Sequence, residues 1–171
     1  MFENEREEIE FLNAAKTGDI EKIKYILNNS NYINITNINF IRNEKDYNNA
    51  LLLASYRNHA EIVKFLLDYG MDINMVNKNR QTALFIASSA NNLEIVKILL
   101  EYKSANNESV LVKKDAEIDS QDKEGQTPLM IAVHNKNVEM IKILLEYGAD
   151  PDKYKEYYIT PLMVSSLLWR G

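Results

Sequence analysis

The sequence predicts an all-α solenoid of about four and a half stacked helix-turn-helix units joined by extended turn loops. Three observations carry that expectation. The first is a block in which a short pair beginning with Ala is followed, at constant distance, by acid–apolar–apolar–Lys–apolar–Leu–Leu. Ala54-Ser55 precedes Glu61-Ile62-Val63-Lys64-Phe65-Leu66-Leu67, and Ala87-Ser88 precedes Glu94-Ile95-Val96-Lys97-Ile98-Leu99-Leu100. Ala132-Val133 precedes Glu139-Met140-Ile141-Lys142-Ile143-Leu144-Leu145, and Ala14-Ala15 precedes the looser Glu21-Lys22-Ile23-Lys24-Tyr25-Ile26-Leu27. The second observation is the period. Ala54 and Ala87 are 33 residues apart, while the steps of 40 from Ala14 and 45 to Ala132 read as the same period with insertions. The third is the helix punctuation within one unit, seen in the fourth copy. Thr127 can cap free backbone N–H groups, and Pro128 at the first helical position loses no hydrogen bond there.

The elements follow in order. Residues 1–8 form a charged lead-in, and unit one spans about 9–34. An insertion over about 35–44 holds Ile35, Ile38, Phe40 and Ile41, too apolar for a free linker and expected to pack or to form a contact surface. Units two and three cover about 45–76 and 77–103, and an insertion over about 104–114, polar at its start, precedes unit four at about 115–152. In unit four, Leu129 to His134 is a short helix with Ile131 and Ala132 turned inward, Ala132 being small enough for a second helix to approach. That helix breaks at Lys136-Asn137, and Glu139 suits the positive end of the next helix dipole. Met140, Ile141, Ile143, Leu144 and Leu145 make an apolar stripe at helical spacing. Gly148, like Gly70 two units earlier, stops the helix by taking the left-handed conformation. A partial unit over 153–171 offers one helix, whose Leu162, Met163, Val164, Leu167, Leu168 and Trp169 have no second helix to cover them. The expectation is that the half-unit lies flat as a short cap, that it belongs to a larger polypeptide, or that another molecule covers it. Left uncovered, it would self-associate or fray beyond about Leu162.

Composition narrows the function. With no cysteine there is no disulfide or thiolate chemistry. A formal net charge of −5 argues against nucleic acid as a partner. The acidic start, Met1-Phe2-Glu3-Asn4-Glu5-Arg6-Glu7-Glu8, does not read as a secretory signal, and no stretch is long enough to cross a bilayer. The expectation is a cytoplasmic protein without membrane insertion. His59 and His134 stand far apart in sequence, so neither a zinc site nor a catalytic triad can be assembled from the spacing. The glycines form no phosphate loop, and the recurring Glu61, Glu94 and Glu139 read as helix starts rather than an acid–base pair. No catalytic residue, cofactor or metal is therefore expected, and the chain is read as no enzyme.

Asp122, Gly125, Thr127-Pro128-Leu129, Ala132, the run Ile141 to Leu145 and Gly148-Ala149-Asp150 together resemble the ankyrin repeat. The resemblance covers 122–150 and 49–102, extends to 12–34, and is partial over 155–168. It has two departures. The family's Gly between the helices survives only as Gly18, with Asn58, Asn91 and Lys136 in its place elsewhere. The family's His after Thr-Pro-Leu gives way to Leu52, Phe85, Met130 and Met163, where apolar contact must replace its hydrogen bonds. His59, at a position where the family commonly carries His, reads as stabilising the turn.

The resemblance implies an all-α ankyrin-repeat domain over 1–171 that binds a protein partner on its concave face. The positions it assigns to that face are Lys45, Asp46, Asn48, Tyr56 and Arg57 in unit two, and Lys78, Asn79, Gln81 and Ser89 in unit three. Unit four offers Lys123, Glu124, Gln126, His134 and Asn135, and unit five Glu156, Tyr157 and Ile159. Tyr56, Arg57 and Tyr157 are the expected anchors, since aromatics and Arg dominate interface energetics.

Overall fold

The computed structural model describes residues 2–34, 37–38, 41–43, 49–102 and 115–152. Among them lie eight α-helices and no strand: α1 Phe2–Thr17, α2 Ile20–Asn29, α3 Ala50–Tyr56, α4 Ala60–Tyr69, α5 Ala83–Ser89, α6 Leu93–Glu101, α7 Pro128–His134 and α8 Val138–Glu146. The helices form successive antiparallel pairs. The first members, α1, α3, α5 and α7, stack side by side, and α4, α6 and α8 form a second layer behind them, with α2 against α1.

Short inner helices need strong ends, because a seven-residue helix leaves most of its backbone groups without internal partners. Asn49, Thr82 and Thr127 each cap one, their side chains accepting from the N–H of Leu52, Phe85 and Met130. The tight turn that follows is the same in all four pairs. The N–H groups of Asp19, His59, Asn92 and Asn137 reach back to the carbonyls of Ala14, Ala54, Ala87 and Ala132. Closing that turn requires a left-handed residue, supplied by Gly18, Asn58, Asn91 and Lys136 at φ of 86°, 62°, 62° and 55°. Ala54, Ala87 and Ala132 are fully buried, since any larger side chain would hold the two layers apart.

The turns also tie neighbouring units together. His59 Nε2 lies 3.2 Å from the carbonyl of Lys16. Asn92 donates to the carbonyls of Ser55 (2.7 Å) and Tyr56 (3.0 Å), Asn135 donates to that of Ser89, and Asn137 donates to the side chain of Asn91. Carbonyls at the ends of α1, α3 and α5 are thus taken up by the next unit. The expected role of His59 in the turn holds, with the addition that its partner lies in the preceding unit. In the outer layer, Ile62, Val63 and Leu66 in α4, Ile95, Val96 and Leu99 in α6, and Met140, Ile141 and Leu144 in α8 make a continuous core. Tyr147 donates its hydroxyl to Glu101 at 2.7 Å, linking α8 to α6, and this bond to a carboxylate holds the phenol above its ordinary range. Gly70 ends α4 in the left-handed conformation at φ 108°.

Three expectations need adjusting. The lead-in is helical from Phe2: Glu and Arg are strong helix formers, acids suit a helix N-terminus, and Arg6 pairs with Glu10 at 3.1 Å one turn on. Ile131 is only part-buried, the inward face of α7 being Leu129, Ala132 and Val133. Leu145 likewise sits at the margin of its stripe. In the first insertion Ile38 and Ile41 are buried, so these two residues pack on the array. Ile35, Phe40, the second insertion over 104–114, and unit five with Leu162, Met163, Val164, Leu167, Leu168 and Trp169 lie outside the described residues.

Candidate partner-binding groove

Where α3 and α5 lie side by side, the loop leading into α5 rises beside them and leaves a pocket of about 240 Å³. Its lining is Leu52, Leu53, Tyr56, Phe85 and Ile86 with Asn77, Gln81 and Ser89. The spacing follows from helix geometry: Leu52, Leu53 and Tyr56 are three and four residues apart on α3, as are Phe85, Ile86 and Ser89 on α5, so each triplet presents one face. Tyr56 is 58% exposed on an otherwise apolar wall. Arg57 lies over its ring, 5.4 Å from the centroid, which gives the aromatic a fixed cationic neighbour.

The wall opposite is a tight turn. Asn77 Oδ1 accepts from the N–H groups of Asn79 and Gln81, its Nδ2 donates to Gln81 Oε1, and its backbone N–H donates to the Gln81 carbonyl. The turn lifts Lys78, Asn79 and Arg80 into solvent, with Arg80 held at φ 60°. Asp122 builds the matching turn in the next unit, accepting from Glu124 and Gln126. The Lys123 N–H then donates to the Asn79 carbonyl at 2.9 Å, so the two turn tips form one edge.

Of the residues assigned to the concave face, Tyr56, Gln81 and Ser89 meet in one pocket, and Arg57 flanks it. Lys78, Asn79, Lys123 and Glu124 share the tip edge. Gln126 closes its turn through its backbone and is half-buried, while His134 and Asn135 are exposed at the end of α7. Lys45, Asp46, Asn48, Glu156, Tyr157 and Ile159 lie outside the described residues. The apolar floor was not assigned from sequence, although the signal was present. Leu52 and Phe85 occupy the position of the missing family His and, with Leu53 and Ile86, make the pocket apolar. At Met130 the replacement differs from pure apolar contact, because the thioether sulfur accepts the Thr127 N–H at 3.4 Å and completes a reciprocal cap. Among the described residues, no group of three or more His, Cys, Asp or Glu side chains could share a metal ion.

A family model described as ankyrin repeats (3 copies) matches residues 11–110 and 108–168. Among curated proteins, NAD-capped RNA hydrolase NUDT12 of Homo sapiens, Macaca fascicularis and Pongo abelii is each 41% identical over 71 residues. The match takes in 40% of this chain but 14% of the length of each relative.

Proposed function

We propose, from the premise that this chain belongs to the ankyrin-repeat family, that it is a non-enzymatic scaffold binding a partner protein on the concave face of its array. Such an array presents a row of pre-ordered turns and inner helices, so little conformational entropy is lost when a partner docks. The observation that carries the reading is the groove between α3 and α5, which joins an exposed Tyr–Arg pair to an apolar pocket. Aromatic and Arg anchors beside a small hydrophobic pocket are the composition of interface hot spots. The proposed binding unit is one domain over 1–171, working in the cytoplasm; no helix among the described residues is long and apolar enough to cross a membrane.

The test is the affinity for a partner isolated from the source cell. Tyr56→Ala with Arg57→Ala should weaken binding about tenfold or more with the fold intact. Lys64→Ala with Lys97→Ala on the outer layer should leave it nearly unchanged, and the reverse result would move the interface to the convex side.

A second reading has the array acting as the regulatory or targeting segment of a larger polypeptide. It is favoured by the relatives, in which the matching stretch is a small part of a longer protein. Immunoblotting the native cell separates the two, since a band at 19.8 kDa contradicts the second reading. Self-association through 153–171 is the remaining proposal for partners. Sedimentation of the full chain against one ending at Asp152 checks it, and a mass independent of concentration in both sinks it.

A further inference from the structure

The geometry points to an acidic segment of a partner protein, anchored by one bulky apolar side chain, as the occupant of the groove between α3 and α5; this rests on the scaffold reading and specifies its partner. The pocket's volume of about 240 Å³ falls below the roughly 300–1,000 Å³ of small-molecule sites. It suits a single inserted side chain. Leu53 and Ile86 are only part-buried, and Tyr56 stands at the mouth, so the floor is open to such an insertion.

Charge identifies the rest of the segment. Asn77 and Gln81 are at once walls of the pocket and the base of the turn that raises Lys78 and Arg80. The bond from Lys123 to Asn79 places a third cation on that edge, and Arg57 lies at the mouth over Tyr56. The ion pairs Arg6–Glu10, Lys22–Glu10 and Lys24–Glu21 lie within α1 and α2 and engage none of these cations. Among the described residues, opposing acids are few. Glu124 is exposed beside Lys123, whereas Asp122 is buried and taken up by its own turn. Asp115, Glu117 and Asp119 belong to the segment before that turn. There Asn74 holds the backbones of residues 115 and 117, and Asp119 accepts from the Asp150 N–H. The adjoining depression of about 490 Å³, which shares Leu53, sets Glu5 and Glu8 against Lys16 and Arg42 and so is balanced. A positive edge therefore stands beside an apolar hole on a chain whose net charge is −5. A carboxylate-bearing segment would be steered to this edge and held by it.

The experiment is selection from an unbiased displayed-peptide library on the full chain, followed by affinities of the selected peptides. The expected sequences are rich in Asp and Glu beside one large apolar residue. Their affinity should fall about tenfold in Lys78→Glu with Arg80→Glu, less in the Lys78→Gln, Arg80→Gln pair, and about tenfold in Tyr56→Ala. Circular dichroism melts check that each variant folds. Selected peptides without acid enrichment that still lose binding in Tyr56→Ala overturn this inference and leave the groove reading standing. Peptides indifferent to Tyr56 and Arg57 but sensitive to Lys64 and Lys97 overturn both. A single-stranded oligonucleotide binding more tightly than the selected peptides also overturns it, in favour of a nucleic acid.

Discussion

Gly18 and His59 show how single residues are constrained across a unit boundary. A Cβ on Gly18 would lie 2.8 Å from His59 Cε1, so the ring that reaches the Lys16 carbonyl occupies the space a side chain would need. Gly148 has a similar left-handed backbone, but nothing lies within 4 Å of its Cβ position. Gly148→Ala should therefore cost about 1 kcal/mol from backbone strain alone, and Gly18→Ala measurably more. In a denaturant-melt cycle, His59→Ala should recover part of the Gly18→Ala loss, and strict additivity would show that the ring is not the obstacle. Lys136 carries the opposite mismatch, a long side chain at φ 55°. Lys136→Gly should raise stability by on the order of 1 kcal/mol, and a loss would mean that Lys136 makes a contact worth more than its strain. That strain could be read from sequence, because Lys stands where Gly18, Asn58 and Asn91 stand in the other copies. The left-handed Arg80 could not, since Asn77, which forces the turn, is one polar residue among many in its loop.

At the scale of elements, the outer helices test which face is which. Leu99 in α6 is completely buried, while Lys97 two residues before it is exposed. Leu99→Ala should cost about 2–5 kcal/mol through lost burial and the cavity left behind. Lys97→Ala should stay within about 0.5 kcal/mol, and equal shifts of the urea midpoint would contradict the assigned faces. The α1–α2 pair depends on pH. Glu10 is held below its ordinary 4.5 chiefly by the bond from Lys22, with Arg6 adding to it. A carboxyl depressed in the folded state stabilises above its unfolded pKa, and the gain is lost as pH falls through the folded value. Glu10→Gln should therefore lower the melting temperature at neutral pH, with the difference closing in acid below the carboxylate range; a constant difference would assign the effect to packing. The outer helices were the most legible elements in the sequence, because a two-layer stack imposes the same apolar spacing in every copy. The helical start of α1 was not, since its charged residues carry no apolar period and it forms through propensity and charge placement.

For the whole molecule, the array was evident from the period alone, whereas the groove was only half evident. Polar turn residues and Tyr56 could be assigned to the concave side by their place in the repeat. The pocket was signalled only by the apolar residues Leu52 and Phe85, and it became visible once two units were set side by side, since no single copy contains it. The turn contacts carry a direction as well. Asn92 and Asn135 each donate to carbonyls of the unit before, so a unit is completed by its successor. Deleting unit four should thus speed amide exchange at the end of α5, while deleting unit one should leave that end unaltered; equal exchange in the two deletions would remove the asymmetry. During synthesis the amino-terminal units leave the ribosome first. Each nascent unit waits with unsealed carbonyls until the next one emerges, so the array matures vectorially, one step behind its own translation.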